Sequence, residues 1–255
     1  EFELTEAITK TILTYGSSLT NFYMLAGGTT MPYWHCKGDF GGIGTCTTFD
    51  FGGVPIREWG DINRKYHFLR TMKYFLDDFQ KFQVTSDYRW SYAEVVKGWD
   101  TTGRLGRRKA WKAVGPEGTF ENVKILQRNS RSTGFILARN LEDDDKSLRI
   151  RYTVPGSAKK RVLPISGELK LLAKGSVMLP IAVTIPGTKT TIAHATSEVT
   201  AIRSIGGRTL VFLKGKAEIS GEMLLAADGT IKVVKGKAQI TRATGGRLLR
   251  YDHAR

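Results

Sequence analysis

Cysteine is nearly absent: Cys36 and Cys46 are the only two, and both fall in one Gly-rich loop, HCKGDFGGIGTC. Two cysteines exclude a disulfide-stapled scaffold. One local disulfide in an oxidising compartment and two free thiols both stay open. His35 beside them adds a third potential ligand but no recognised spacing, so no metal site is assigned. Long apolar runs are missing too. None approaches the roughly 18 residues of a membrane-spanning helix, so a membrane partner has no support in the sequence. The chain opens EFELTEAI, without a methionine, without a basic-then-apolar leader, and already in helical pattern. The expectation is a piece of a longer protein. Finally, GDFGGIG (38–44) lacks the Gly-Lys-Ser/Thr that would follow in a phosphate-binding loop, and that reading is set aside.

What is present describes a globular chain. With 41% hydrophobic and 25% charged residues over 255 positions, there is material for one large domain or two ordinary ones. The charge is uneven. Residues 1–100 carry ten Lys/Arg and twelve Asp/Glu, a balance of −2; the rest carry twenty-nine and twelve, a balance of +17, which sum to the net +15. Such asymmetry points to two parts with different surfaces.

Periodicity divides the chain at about residue 82. In ELTEAITKTILTYG, Leu4, Ile8, Ile12 and Leu13 recur at helical spacing, and Gly16 supplies a stop. SLTNFYMLAGG is a compact apolar-aromatic run ended by Gly27 and Gly28, the pattern of a buried parallel strand. Residues 29–60 hold glycines, prolines and aromatics without a period; so long a loop is usually functional. From Ile62 to Phe82, apolar positions at Tyr66, Leu69, Met72, Phe75 or Leu76, and Phe79 predict one helix. Helix, strand, loop and helix make one unit of a β/α architecture. In a (β/α)₈ barrel the loop after a strand lies on the catalytic face.

Residues 83–133 read as a polar, aromatic-dotted transition. From residue 134 onward, short β-type runs follow, among them GFILARNL, SLRIRYTV, GSVMLPIAVTIPG, TTIAHATSEVTAI and RTLVFLKG. Turn signals such as EDDD, VPG and SIGG separate them, as in an all-β sandwich. KGKAEIS (214–220) is echoed by KGKAQIT (235–241), either as two similar hairpins or by chance.

Four segments in order carry a family resemblance: NFYMLAGGTT, MPYW, TTFDFGGVPIREWGD and KYHFLR. They resemble glycoside hydrolase family 35, the β-galactosidases. That family closes its barrel with N-[FLY]-Y-M-x-x-G-G-T-N, an aromatic-Trp pair, T-S-Y-D-Y-D-A-P-[LI]-x-E-x-G-D, and a helix bearing K-Y-x-x-L-R. More loosely, LPISGELKLLAKGSVMLPIAV and HATSEVTAIRSIGGRTLVFLKG resemble the β domain that follows the barrel in many of these enzymes. The resemblance implies residues 1–82 as the last β/α unit of a (β/α)₈ TIM barrel, 83–133 as a transition, and 134–255 as a β-sandwich-type accessory domain.

It also implies retaining hydrolysis of a terminal β-galactoside by two glutamates about 5 Å apart, with no cofactor and no metal. In the family these glutamates end barrel strands four and seven, so both are expected upstream of residue 1. Glu1, Glu3 and Glu6 do not match the nucleophile's motif. The implied partners are a β-galactoside or oligosaccharide substrate and the remainder of the barrel.

For substrate binding, the Tyr of the strand motif falls on Tyr23, whose hydroxyl would bond the sugar. Taken by itself, Tyr23 reads rather as a core aromatic in a buried strand; the resemblance reverses that preference. The second Tyr of the Y-D-Y-D motif falls on Phe51, which lacks that hydroxyl, and the motif's Asn is Thr30. These departures bear on galactose specificity rather than on the fold. Trp34, with Tyr33, offers a stacking wall or loop packing. Asp50 and Glu58 match motif acids and read as braces; Trp59 reads as a packing residue.

Two other readings stay open. Trp34, Trp90, Trp99 and Trp111 would equip a non-catalytic carbohydrate-binding protein. Arg104, Arg107, Arg108, Lys109 and Lys112 around Trp111 would suit a basic nucleic-acid-binding module, although a solvated surface or one facing an acidic partner accounts for them more simply.

Overall fold

The computed structural model describes residues 2–18, 20–22, 24–28, 53–89, 93–100, 123–217, 219–226, 237–243 and 246–253. Three helices precede fourteen strands. They are α1 (Phe2–Thr14), α2 (Arg64–Asp78) and α3 (Gln80–Thr85), then β1 (Asp87–Arg89), β2 (Ala93–Asp100), β3 (Val123–Asn129), β4 (Gly134–Asn140), β5 (Lys146–Thr153), β6 (Lys160–Leu163) and β7 (Leu169–Leu171). Next come β8 (Ser176–Thr184), β9 (Thr191–Ala195), β10 (Glu198–Ile205), β11 (Arg208–Lys214), β12 (Ser220–Ala226), β13 (Lys237–Ala243) and β14 (Gly246–Asp252). No helix among the described residues is long and apolar enough to cross a membrane.

An eight-stranded sheet, ordered β1-β3-β4-β8-β9-β12-β14-β13, forms the centre. Every pairing in it is antiparallel. One face packs against a smaller sheet of β2, β5, β6 and β7, forming a sandwich core from residues such as Ile125, Ile136, Leu148, Ile150 and Leu179. The other face packs against the three helices and the β10–β11 hairpin. This explains two sequence textures. In β5, SLRIRYT alternates buried and half-buried positions without a break, because one face meets the core. β8 and β12, covered on both faces, read as nearly continuous apolar runs.

Most predicted strands form within a residue or two of their runs. TTIAHATSEVTAI is two strands, because the chain breaks at Thr196–Ser197 and passes from the central sheet into the hairpin. SIGG is the hairpin turn: Gly206 and Gly207 have φ of 57° and 72°, the left-handed pair that a two-residue turn requires. The KGKA echo is not a repeated hairpin. KAQIT lies within β13, whereas Lys214 ends β11 and Ser220 opens β12 with a connection between them. β1, β2 and β3 fall inside the segment read as a transition.

The expected buried strand at SLTNFYMLAGG is not formed among the described residues. Residues 24–28 carry a single parallel bridge, Ala26 to Ile56, and Leu25 is exposed. A strand ladder needs neighbours on its flanks, and among the described residues one short segment supplies the partner.

The predicted 62–82 helix is broken once. Phe79 takes φ −115° and ψ 24°, ending α2 and preceding α3. The break turns Phe82 inward beside Phe75 and Phe79, and all three meet Phe135 of β4 edge-on at 5.0–5.1 Å between ring centres. Arg128 of β3, almost fully buried, holds the far ends of the helices: its guanidinium donates to the Leu13 carbonyl at the end of α1 and to Gln83 in α3. A cation there meets the negative ends of helix dipoles.

α1 forms where predicted, but its buried face is not the predicted one. Glu6, Ala7, Thr9, Lys10, Leu13 and Thr14 point inward, while Leu4, Ile8 and Ile12 are 54%, 44% and 40% exposed. Periodicity finds the stripe; it cannot say what lies opposite.

The Phe135 cluster yields a stability prediction. Phe135→Ala should lower unfolding free energy by about 3–5 kcal/mol, and Phe135→Leu by clearly less, measured by urea denaturation. A near-zero loss for Phe135→Leu would show that the edge-on ring contacts contribute nothing beyond volume.

Candidate functional site

The residues predicted to bind substrate, Tyr23, Trp34 and Phe51, lie outside the described residues, as do Thr30, Tyr33, Asp50, His35, both cysteines and the basic cluster at 104–112. What the structure does describe is the frame on either side of them. Gly27 N donates to Ile56 O at 2.7 Å and Ile56 N to Leu25 O at 3.0 Å. The two longest motif segments, NFYMLAGG and GGVPIREWGD, are thus held side by side. Asn63 secures the second. Its side chain donates to Val54 O at 2.5 Å and accepts from Lys65 N at 2.8 Å, so that one residue ties the loop and caps α2. Glu58 is exposed in the same loop. Trp59, expected to pack, is instead 69% exposed and donates to the Asp61 carboxylate at 3.1 Å.

A second polar feature lies in the β-rich part, where sequence reasoning assigned nothing. A cleft of about 220 Å³ opens between the 164–177 region, the Thr196–Ser197 break, the connection after β11 and the ends of β12 and β14. Three groups of polar side chains meet around it.

The first is a buried quartet of charges. Lys10 Nζ lies 2.8 Å from Glu6 and 2.6 Å from Glu198; Lys214 Nζ lies 2.7 Å from Glu6 and 3.8 Å from Glu198. Lys10 also donates to Ser176 O, and Glu198 accepts from Met178 N. Burial pushes the Glu6 carboxyl upward, but the charges and hydrogen bonds of Lys10 and Lys214 outweigh it and bring it to about 2. Burial likewise pushes Lys214 down, and Glu198 and Glu6 more than reverse this, holding it above its ordinary value.

The second group centres on Glu222 of β12. It accepts from Ile165 N at 2.6 Å and from the Ser166 N–H and hydroxyl at 3.2 and 3.1 Å. His194 Nε2 stands 3.4 Å from it, with Nδ1 3.1 Å from the Tyr152 hydroxyl. Burial raises Glu222, yet these hydrogen bonds hold it below the usual carboxylate range. Arg250 donates to the Ser166 hydroxyl at 2.6 Å.

The third is a relay. The Tyr251 hydroxyl donates to Ser197 Oγ at 2.9 Å, and Ser197 Oγ is 2.9 Å from His253 Nε2. Burial lowers the His253 imidazole, against an opposing pull from Asp252, which favours the neutral ring that can accept the Ser197 proton. Burial, first of all, pushes the Tyr251 phenol up to about 12, so it stays a donor. Two glycines make room. A Cβ on Gly215 would fall 1.9 Å from His253 Nε2, and one on Gly221 would fall 2.3 Å from the Tyr251 ring. In sequence these residues are scattered across β9 to β14. The one local signal was the Ser197 break, which reads only as a turn.

The architecture is that of an antiparallel β-sandwich domain preceded by helices and carrying a polar cleft. No protein-family model matches the chain. It is similar to named β-galactosidases. It is 23% identical over 229 residues to probable β-galactosidase A of Aspergillus fumigatus, covering 89% of this chain and 20% of that protein. Against probable β-galactosidase A of Aspergillus flavus and β-galactosidase A of Aspergillus oryzae it is 24% identical over 226 residues, covering 88% of this chain and 20% of each. The chain spans about a fifth of the length of these relatives. The similarity extends through both the helical and the β-rich parts.

The charge quartet fixes a pH dependence. The folded Glu6 carboxyl titrates near 2 rather than near 4.5, so its contribution is complete above pH 4.5 and is lost as pH falls toward 2. Glu6→Gln should flatten the stability profile across that window, and Lys10→Ala, which removes the more buried of the two cations that Glu6 and Glu198 share, should cost about 3 kcal/mol at neutral pH. Chemical denaturation at a series of pH values tests both.

Proposed function

We propose that this chain is part of a retaining β-galactosidase of glycoside hydrolase family 35, a hydrolase of terminal non-reducing β-D-galactose residues. In this reading residues 1–82 are the last β/α unit of a (β/α)₈ barrel, 83–133 a transition and 134–255 the accessory β domain. The catalytic glutamates come from chain preceding residue 1. The observation that carries the reading is the order of the four family motifs along the chain, two of which the Ala26–Ile56 bridge holds together. Similarity to three β-galactosidases along nearly the whole chain adds to it. So does α1: Leu4, Ile8, Ile12 and Tyr15 form an outward apolar stripe, which the remainder of the barrel would cover.

Within that site Tyr23 donates to the sugar, Trp34 walls it, and Phe51 occupies the place of a lost hydroxyl. Two measurements follow. The chain of 255 residues should not release nitrophenol from nitrophenyl β-galactoside, whereas the longer protein that contains it should. In the longer protein, Tyr23→Phe should lower kcat/KM, and Phe51→Tyr should strengthen galactoside binding, by about two- to tenfold each, as for one neutral hydrogen bond. Turnover by the 255-residue chain itself would place the catalytic acids within it and overturn the assignment.

A further inference from the structure

We infer that the cleft in the β-rich part is a binding site for a neutral, hydroxyl-rich ligand the size of one sugar ring, separate from the proposed galactose site. The inference rests on the cleft's own chemistry and does not require the barrel reading.

Two charged groups that line the cleft are already paired or hydrogen-bonded: Lys214 is taken by Glu6 and Glu198, and Glu222 accepts three hydrogen bonds from the 165–166 segment. A charged ligand that displaced either partner set would leave an uncompensated ion at the cleft wall. Arg250 is exposed and donates to the Ser166 hydroxyl. Lys216 stands exposed at the rim, where water screens it.

Hydroxyls, by contrast, are plentiful and can both donate and accept. Ser166 and Ser197 each sit in a chain whose hydrogens can redistribute when a further partner arrives. Ser176 lines the cleft with its Oγ shielded from solvent, and among the described residues that oxygen has no hydrogen-bond partner. A buried hydroxyl left in that condition is costly and implies a partner. Leu172, Val177 and Ile219 supply an apolar wall, so the cleft offers both surfaces that a pyranose presents. The walls at Gly215 and Gly221 already have no space for a methyl group. At 220 Å³ the space is below the roughly 300–1,000 Å³ of pockets for drug-sized ligands, which limits the occupant to about one ring.

The test is a ¹H–¹⁵N titration of the full chain with D-galactose and D-glucose, then with D-glucuronate. The expected result is saturable shifts at the amides of Ser166, Ser197, Gly215 and Gly221 with at least one neutral hexose, and weaker or no shifts with glucuronate. Ser166→Ala and Ser197→Ala should each weaken hexose binding by about two- to tenfold while leaving the remaining spectrum dispersed. Trp34→Ala and Tyr23→Phe should leave these shifts unchanged, which separates this cleft from the proposed galactose site. The inference is overturned if no hexose moves those amides, if glucuronate binds there more tightly than the hexoses, or if the two serine variants bind as the parent does.

Discussion

Two lysine ammonium groups and two carboxylates, sealed between α1, β8 and the β10–β11 hairpin, set the constraint on which the rest of the packing depends. An ammonium as buried as Lys10, 1% exposed, is tolerable only with both charge and hydrogen bonds met. Glu6 is one turn back on the same helix, but Glu198 and Lys214 come from strands about two hundred residues away, so α1 has one rotation that satisfies all four. That rotation turns the polar face of α1 inward and its apolar stripe outward. It also sets the end of α1 against Arg128, which in turn holds α3, and α3 delivers Phe82 to the Phe135 cluster.

Glu6, Glu198 and Lys214 of that quartet line one wall of the cleft. The central sheet serves two cores, one shared with the small sheet and one with the helices and hairpin. Where the chain leaves β9 for the hairpin, Thr196 and Ser197 cannot continue a ladder. Thr196 satisfies its backbone through Glu222, and Ser197 turns toward Tyr251 and His253. The cleft is therefore a by-product of how the hairpin departs from the sheet, lined with groups that pay for that departure in hydrogen bonds.

The two functional regions are of different kinds. The reading of the motif-bearing segment near Ala26 and Ile56 rests on ordered motifs and on distant similarity to β-galactosidases. The cleft is assembled mainly from the β-rich part, with Glu6 of α1 in one wall.

The sequence by itself determined what depends on neighbours along the chain. The β-type run SLRIRYTV gave β5, the SIGG signal gave the hairpin turn, and the spacing of Tyr66, Leu69, Met72 and Phe75 gave α2. The family motifs are likewise local strings, and for that reason Tyr23, Trp34 and Phe51 could be singled out. Tertiary structure decided what depends on partners far away. It chose the inward face of α1 because Glu198 and Lys214 outweigh the attraction of a leucine-isoleucine stripe. It broke the second helix at Phe79 so that three rings could reach Phe135. It built a cleft from Ser176, Ser197 and Glu222, which meet because β8, β9 and β12 are neighbours in one sheet, and from Ser166, which the β6–β7 connection brings to Glu222.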